Sequence, residues 1–347
     1  MSESTLQKIC DLVQEDVGNR GLRTDPHSNL ITATAGDFQA ACRSLAETAD
    51  ASVVIVTGFY IPHAQPPCGE TDGPLGALFL ARSLTAQGIR VRLATDDFCE
   101  QALRAGLVTS RLKRLLPVLR LPRHDRAALG ELSAPIYWRT FSRTYGAITH
   151  LIALERVGPS HTQETLDKQL GPSDDAIRRT FAREVPVAQQ DRCHTMRGLD
   201  ITASTSPAHR LFEFQAGLDS TITTIGIGDG GNEIGMGKIP WDVIRRNIPN
   251  GGLVACRVPT DHLIVSGVSN WGAYGLAAGV ALLRGKKLPA ELFDVERERD
   301  LLRIMVERGP LVDGVTGQQT ESVDGLPFER YAEPLRRIGE LVAPATP

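Results

Sequence analysis

The sequence predicts an α/β protein: a doubly wound, mostly parallel sheet with helices on both faces, a Rossmann-like three-layer sandwich. Three observations point there. Continuous apolar runs of strand length recur, each followed by a glycine-rich or polar turn and then a helical pattern. The runs lack polar alternation, as ASVVIVTGF (51–59) shows, which suits strands buried on both faces. Strand–turn–helix alternation also supplies the crossover connections that parallel neighbours require.

The elements follow in order within a single α/β domain, 1–347. Residues 1–48 form a helical N-terminal segment that opens with the acidic, amphipathic MSESTLQKICDLVQEDVG. The first strand is 51–59. Asp72 then caps a helix that has Pro74 in its first turn and Gly88 as its stop. IRVRLATDD (89–97) is a second strand and FCEQALRAGL a short helix. Residues 108–145 are a partly helical excursion, locally basic and broken by Pro117 and Pro122, and read as a solvated crossover face rather than an anion site. AITHLIALERVG (147–158) is the third strand, and HTQETLDKQLGPSDDAIRR (161–179) a polar surface excursion. STITTIGIG (220–228) and DHLIVSGVS (261–269) are the fourth and fifth strands. The small-residue helix NWGAYGLAAGVALLRG packs tightly behind the fifth. Its Gly275–Gly279 stretch suits core or subunit packing, so a homo-oligomer stays open. A charged helix over 291–308, a turn-rich segment and a closing helix from 329 complete the chain.

Composition excludes several classes. Lysine plus arginine number 38 against 41 acids, a net charge of −3, without the positive excess of a nucleic-acid binder. No apolar run reaches the roughly 20 residues that cross a bilayer. The six cysteines are scattered without a C-x-x-C pair, and the N-terminus lacks a signal-peptide pattern, so reduced thiols in the cytoplasm are expected. Dispersed histidines argue against a zinc site.

Ligands of such sheets bind at the carboxyl ends of the strands. The polar clusters all fall there, so residues distant in sequence are expected to meet in one crevice. The densest is TTIGIGDGGNEIGMGK (223–238). Gly226, Gly228 and Gly231 match G-x-G-x-x-G, but two more glycines and a proline follow where a helix should open, and the ribose-binding acid is missing. A P-loop fails too, since Ile239 follows Lys238 and Asn232 stands where the first glycine belongs. What remains is a nest of backbone N–H groups at Gly230 and Gly231, open to an anionic or carbonyl oxygen. Asp229 and Glu233 beside it are candidates for proton transfer, and Asn232 for orienting a carboxylate or amide. A tight structural turn with capping acids is the competing account.

Glu70 and Asp72 precede a helix whose amides from Gly73 onward offer a seat for a carboxylate or phosphate, although capping alone accounts for Asp72. Glu155 and Arg156 end a strand, either as a surface ion pair or with Arg156 gripping a substrate carboxylate. His194 and Arg197 in RCHTMRGLD, and Ser269 and Asn270 at another helix start, are further candidates. A lone histidine is more often structural. Asp313, Thr316 and Asp324 either close over the site or serve turns. No cofactor is required. A divalent cation, Mg or Mn, would draw on Asp229, Glu233, Glu70 and Asp72.

The segments GFYIP, ETDGPLGA, ER-G, MRG-DI, IGIGDGGNEIGMGK, VSNWGAYGLAAG, DGVTG and SVDGL together resemble the D-glutamate cyclase-like family, from about residue 53 to 326. In the family's longer animal members this segment is the C-terminal half. The resemblance implies a hydro-lyase that converts D-glutamate to 5-oxo-D-proline and water, with a small amino or oxo acid as ligand. That chemistry needs an amine freed of its proton, a polarised γ-carboxyl and a stabilised oxyanion. Asp229 or Glu233 would take the ammonium proton, Gly230 and Gly231 amides would receive the oxyanion, and Glu70 or Asp72 would protonate the departing hydroxide. A metal-dependent phosphate- or nucleotide-handling enzyme and a non-catalytic binding protein are the rivals.

Overall fold

The computed structural model describes residues 2–121, 143, 146–213 and 222–343. At its centre is a parallel six-stranded sheet of β1 (Ser52–Thr57), β2 (Arg90–Thr95), β3 (Val118–Arg120), β4 (His150–Leu154), β5 (Thr223–Gly228) and β6 (His262–Val265). Their order is β3-β2-β1-β4-β5-β6, a doubly wound arrangement that reverses between β1 and β4. Thr57 pairs with Thr95 on one side and Leu154 on the other, and Leu154 with Ile227, so the central strands finish level.

The strand β3 falls inside the 108–145 excursion, where no strand was expected. Three residues behind Pro117 are too few for a periodicity signal, and only pairing with β2 makes them a strand. The excursion's residues 122–142 and 144–145 lie outside the described residues.

Helices α1 (Ser2–Val13), α2 (Asp37–Glu47), α3 (Pro74–Ala86), α4 (Asp97–Thr109), α5 (Asp175–Glu184), α6 (Trp241–Asn247), α7 (Ser269–Leu283), α8 (Val295–Arg308) and α9 (Glu333–Val342) surround the sheet. Strand side chains alternate between its faces. Val53 and Ile55 join the larger core with α1–α4 and α7–α9, whereas Val54 and Val56 join a second core with Phe181 of α5 and Trp241 of α6. The 161–179 stretch is thus more than a polar surface: Thr162 forms a capping box for the helix Gln163–Asp167, and the adjoining α5 buries Phe181 edge-on to Trp241. Gly275 and Gly279 of α7 face α1 and α2, where a Cβ would press on Val13 and overlap Cys42. The small-residue face therefore serves this chain's own core.

Candidate active site

Four acids gather at the carboxyl ends of β1, β4 and β5: Glu70, Asp72, Glu155 and Asp229, all buried. Carboxylate oxygens of Asp72, Glu155 and Asp229 lie within 4.8 Å of one another. The convergence expected of these turns is present. Glu155 leaves β4 with φ 44°, a left-handed conformation uncommon outside glycine and concentrated at functional sites. Glycines let the acids in. Gly73 has φ 88°, and a Cβ there would stand 2.7 Å from both Glu155 Cβ and Thr57 Oγ1. A Cβ on Gly314 would overlap the Glu70 carboxylate.

The helix starts beside the acids are capped in exchange. Asp72 does not cap α3 as expected; it accepts from the amides of Ser269 (2.9 Å) and Asn270 (2.8 Å) at the start of α7, and from Gly73 N at 3.0 Å. Asn270 Oδ1 in turn accepts from Gly73 N (2.8 Å) and Gly76 N (2.7 Å) of the α3 start. The Gly73 and Gly76 amides are engaged within the protein rather than open to an anion. The glycine nest is filled too. Glu233 accepts from the amides of Asp229 (2.9 Å), Gly230 (2.6 Å) and Gly231 (2.8 Å). Buried N–H groups without partners are costly, and the chain supplies its own acceptors. Asn232 donates to His194 O at 2.8 Å, and His194 Nε2 meets Gln189 Oε1 at 2.9 Å, so both brace a loop. Arg156 is neither a grip for a substrate carboxylate nor a partner of Glu155. Its guanidinium is wholly buried, paired with Asp96 and donating to Gly58 O (3.0 Å) and Ser206 O (2.8 Å). Ser269 donates to Glu155 at 2.5 Å.

Arg20 is the site residue that sequence reading missed. Asp16 folds its loop by accepting from the amides of Arg20 (2.8 Å), Gly21 and Leu22 (3.0 Å each). The Arg20 guanidinium then stands 3.3 Å from Asp229 and 2.7 Å from Asp324. Asp324 occupies the turn of the small hairpin Ser322–Val323/Leu326–Pro327, where Asp324 (φ 55°) and Gly325 (φ 75°) adopt the positive φ values a two-residue turn demands. Asp313 scaffolds this region, accepting from Val315 N, Thr316 N, Ser322 Oγ and Gly325 N.

A cavity of about 150 Å³ opens against Arg20, Glu70, Glu155, Arg197 and Asp324. Arg197 is exposed at its edge and donates to Val315 O at 2.8 Å. Burial pushes Glu70, Asp72, Glu155 and Asp229 well above the ordinary carboxylate range. Repulsion adds to it, chiefly from Asp324 on Glu70 and Asp72 and from Glu233 on Glu155, while Arg20 pulls Asp229 back. Asp229 Oδ2 and Asp324 Oδ2 are buried without a hydrogen-bond partner. The arrangement is rich in proton-carrying groups and short of positive charge.

The family described as "D-glutamate cyclase-like, C-terminal" matches residues 9–170 and 175–339. The Homo sapiens protein "D-glutamate cyclase, mitochondrial" is 28% identical over 97% of this chain. The chain spans about half of that relative's length, 52%. Among solved structures, the menthone neomenthol reductase from Mentha piperita shares 12% identity over 52% of this chain and 61% of its own, with a TM-score of 0.26, and no conclusion rests on that likeness. With its match running across nearly the whole chain, this protein belongs to the D-glutamate cyclase-like, C-terminal family.

Proposed function

We propose that the chain is a hydro-lyase of the cyclase type that closes a small acidic amino acid, most concretely D-glutamate to 5-oxo-D-proline and water. One observation carries this reading: the side chains of Glu70, Glu155 and Asp324 and those of Arg20 and Arg197 line the same cavity of about 150 Å³. A ligand bearing an ammonium and two carboxylates meets both signs of charge there. The volume is below the roughly 300–1,000 Å³ of drug-sized pockets and suits a small metabolite.

The roles shift from those first assigned. Asp229 stands behind Arg20, and Glu233 is bound to backbone amides, so the base falls to Asp324, whose Oδ2 is free. It takes a proton from the ammonium, and the amine nitrogen attacks the carbon of the γ-carboxyl group. Glu70 protonates one γ-carboxyl oxygen to a hydroxyl, the second proton of the attacking nitrogen passes to that hydroxyl, and the carbon–oxygen bond breaks to release water, after which the proton held by Asp324 restores Glu70. With the nest filled, the arginines rather than Gly230 and Gly231 amides oppose the developing oxyanion. Phosphate handling loses support because both helix starts and the nest already have acceptors. Six buried free thiols favour a reducing compartment, and we place the protein in the cytoplasm. Among the described residues no helix is long and apolar enough to cross a membrane.

Incubation with D- and L-glutamate and with both 5-oxoprolines, in buffer containing Mg²⁺ and Mn²⁺, followed by chiral chromatography, tests the reading. Ring closure or opening is expected with the D pair. Glu70→Gln, with its fold verified by circular dichroism, should lower turnover at least ~100-fold. No interconversion of either pair overturns the proposal, and 5-oxoproline binding without turnover would make the chain a ligand-binding protein.

A further inference from the structure

We infer that Asp72, Glu155 and Asp229 form a binding site for one hard divalent cation of the Mg²⁺, Mn²⁺ or Ca²⁺ class. The set differs from the quartet the sequence suggested. Glu233 has its carboxylate in the amide nest, Glu70 stands outside the close cluster, and Glu155 enters it.

The spacing suits an ion. Oxygens on opposite sides of Mg²⁺ are about 4.2 Å apart, and around Ca²⁺ about 5 Å. The three ligand oxygens here lie within 4.8 Å of one another, close enough for one ion to draw all three into its coordination shell by side-chain adjustment. All three donors are carboxylate oxygens, the chemistry that hard cations prefer and that zinc or copper does not select.

Two of the ligands are held in place before any ion arrives. Asp72 is fixed by three backbone amides, and Glu155 by Ser269 Oγ and its left-handed backbone. Capping explains Asp72 and Glu233. It does not explain Asp229, whose Oδ2 is buried with no partner. A separate segment repeats the deficit. The Asp324 side chain is only 6% exposed and reaches the cluster through Arg20, yet its Oδ2 is also unpartnered. A purely structural cluster would have donors on these oxygens, because a buried acceptor left unsatisfied is costly. Among the described residues Arg20 alone is paired with Asp229 and Asp324, and a second positive charge resolves what it leaves over.

The inference deepens the cyclase reading and rests on it for its purpose: the cation organises the acids beside the cavity while Glu70 and Asp324 handle protons. Binding itself can be read without turnover. The full chain, stripped of metal by chelation, is titrated with Mn²⁺ while the free ion is followed by electron paramagnetic resonance. One Mn²⁺ per chain is expected, displaced by Mg²⁺ or Ca²⁺. Asp229→Asn and Glu155→Gln should each weaken binding at least ~100-fold, beyond the roughly 10–100-fold that loss of a mere supporting partner costs. Asp300→Asn, on the exposed side of α8, should bind as the wild type does. The inference is overturned if the wild type binds no Mn²⁺, or if both site variants, folded by circular dichroism, bind with unchanged affinity. Stoichiometric Mn²⁺ binding without ring chemistry would leave the metal site standing and remove the cyclase function. Ring chemistry in excess chelator, with no Mn²⁺ bound, would do the reverse.

Discussion

Arg20 stands between two carboxylates with a fifth of its side chain exposed, and the buried acids Asp72, Glu155 and Glu70 share its neighbourhood. Its charge is permanent, so it offsets repulsion that the acids cannot relieve among themselves. Removing one partner of a buried pair costs about 3–5 kcal/mol, and partial exposure lowers that. Arg20→Gln should therefore destabilise the protein by about 1–3 kcal/mol in urea unfolding at neutral pH. Saturating Mn²⁺ should restore part of the loss, because the ion replaces the missing charge. Equal stability of variant and wild type would show that the acids do not depend on Arg20. Nothing in GNRGLRTD marks this arginine, since its partners lie some two and three hundred positions away along the chain. The acids were easier to find, because Glu70, Asp72, Glu155 and Asp229 each follow a recognisable strand.

Helix starts and strand ends were legible to different degrees for the same reason. The apolar runs at 51–59, 220–228 and 261–269 contain β1, β5 and β6, and the strand-end rule placed the acids on one rim. Capping rules look three residues ahead, whereas Asp72 and Asn270 cap each other's helices across 198 positions. The glycine nest misled similarly: its pattern announces an anion seat, but only the fold shows that Glu233 fills it. The exchanged caps lock α3 to α7, and both bond to Gly73 N. Asp72→Ala and Asn270→Ala should each cost about 1–2 kcal/mol by loss of a cap. Because they share an amide, the double variant should lose less than the sum, with a coupling of about 0.5–3 kcal/mol. Additive losses in a denaturation cycle would mean that the two caps act independently.

At the scale of the whole molecule, a buried polar chain in the larger core sets a pH dependence. Glu298 of α8, 1% exposed, accepts from Tyr274 of α7 at 2.9 Å and lies 3.4 Å from Arg82 of α3, while Tyr274 also bonds to the Tyr331 hydroxyl. Burial pushes the Glu298 carboxyl from 4.5 up to about 7, against the pull of Arg82 and Tyr274. The folded state therefore holds this proton more tightly than the unfolded chain does. Its contribution is full below pH 4.5 and is lost as pH rises to about 7, because the folded state then binds more protons than the unfolded one. The loss is on the order of 3 kcal/mol. Acids at the active-site rim with raised values add a fall of the same sign, so the wild-type curve alone does not isolate Glu298. Glu298→Gln does, since glutamine mimics the protonated carboxyl. Stability measured by urea unfolding should match the wild type near pH 4 and exceed it near pH 8, flattening the profile by up to ~3 kcal/mol. Parallel profiles would mean that Glu298 is ionised throughout, with Arg82 and Tyr274 compensating its burial in full.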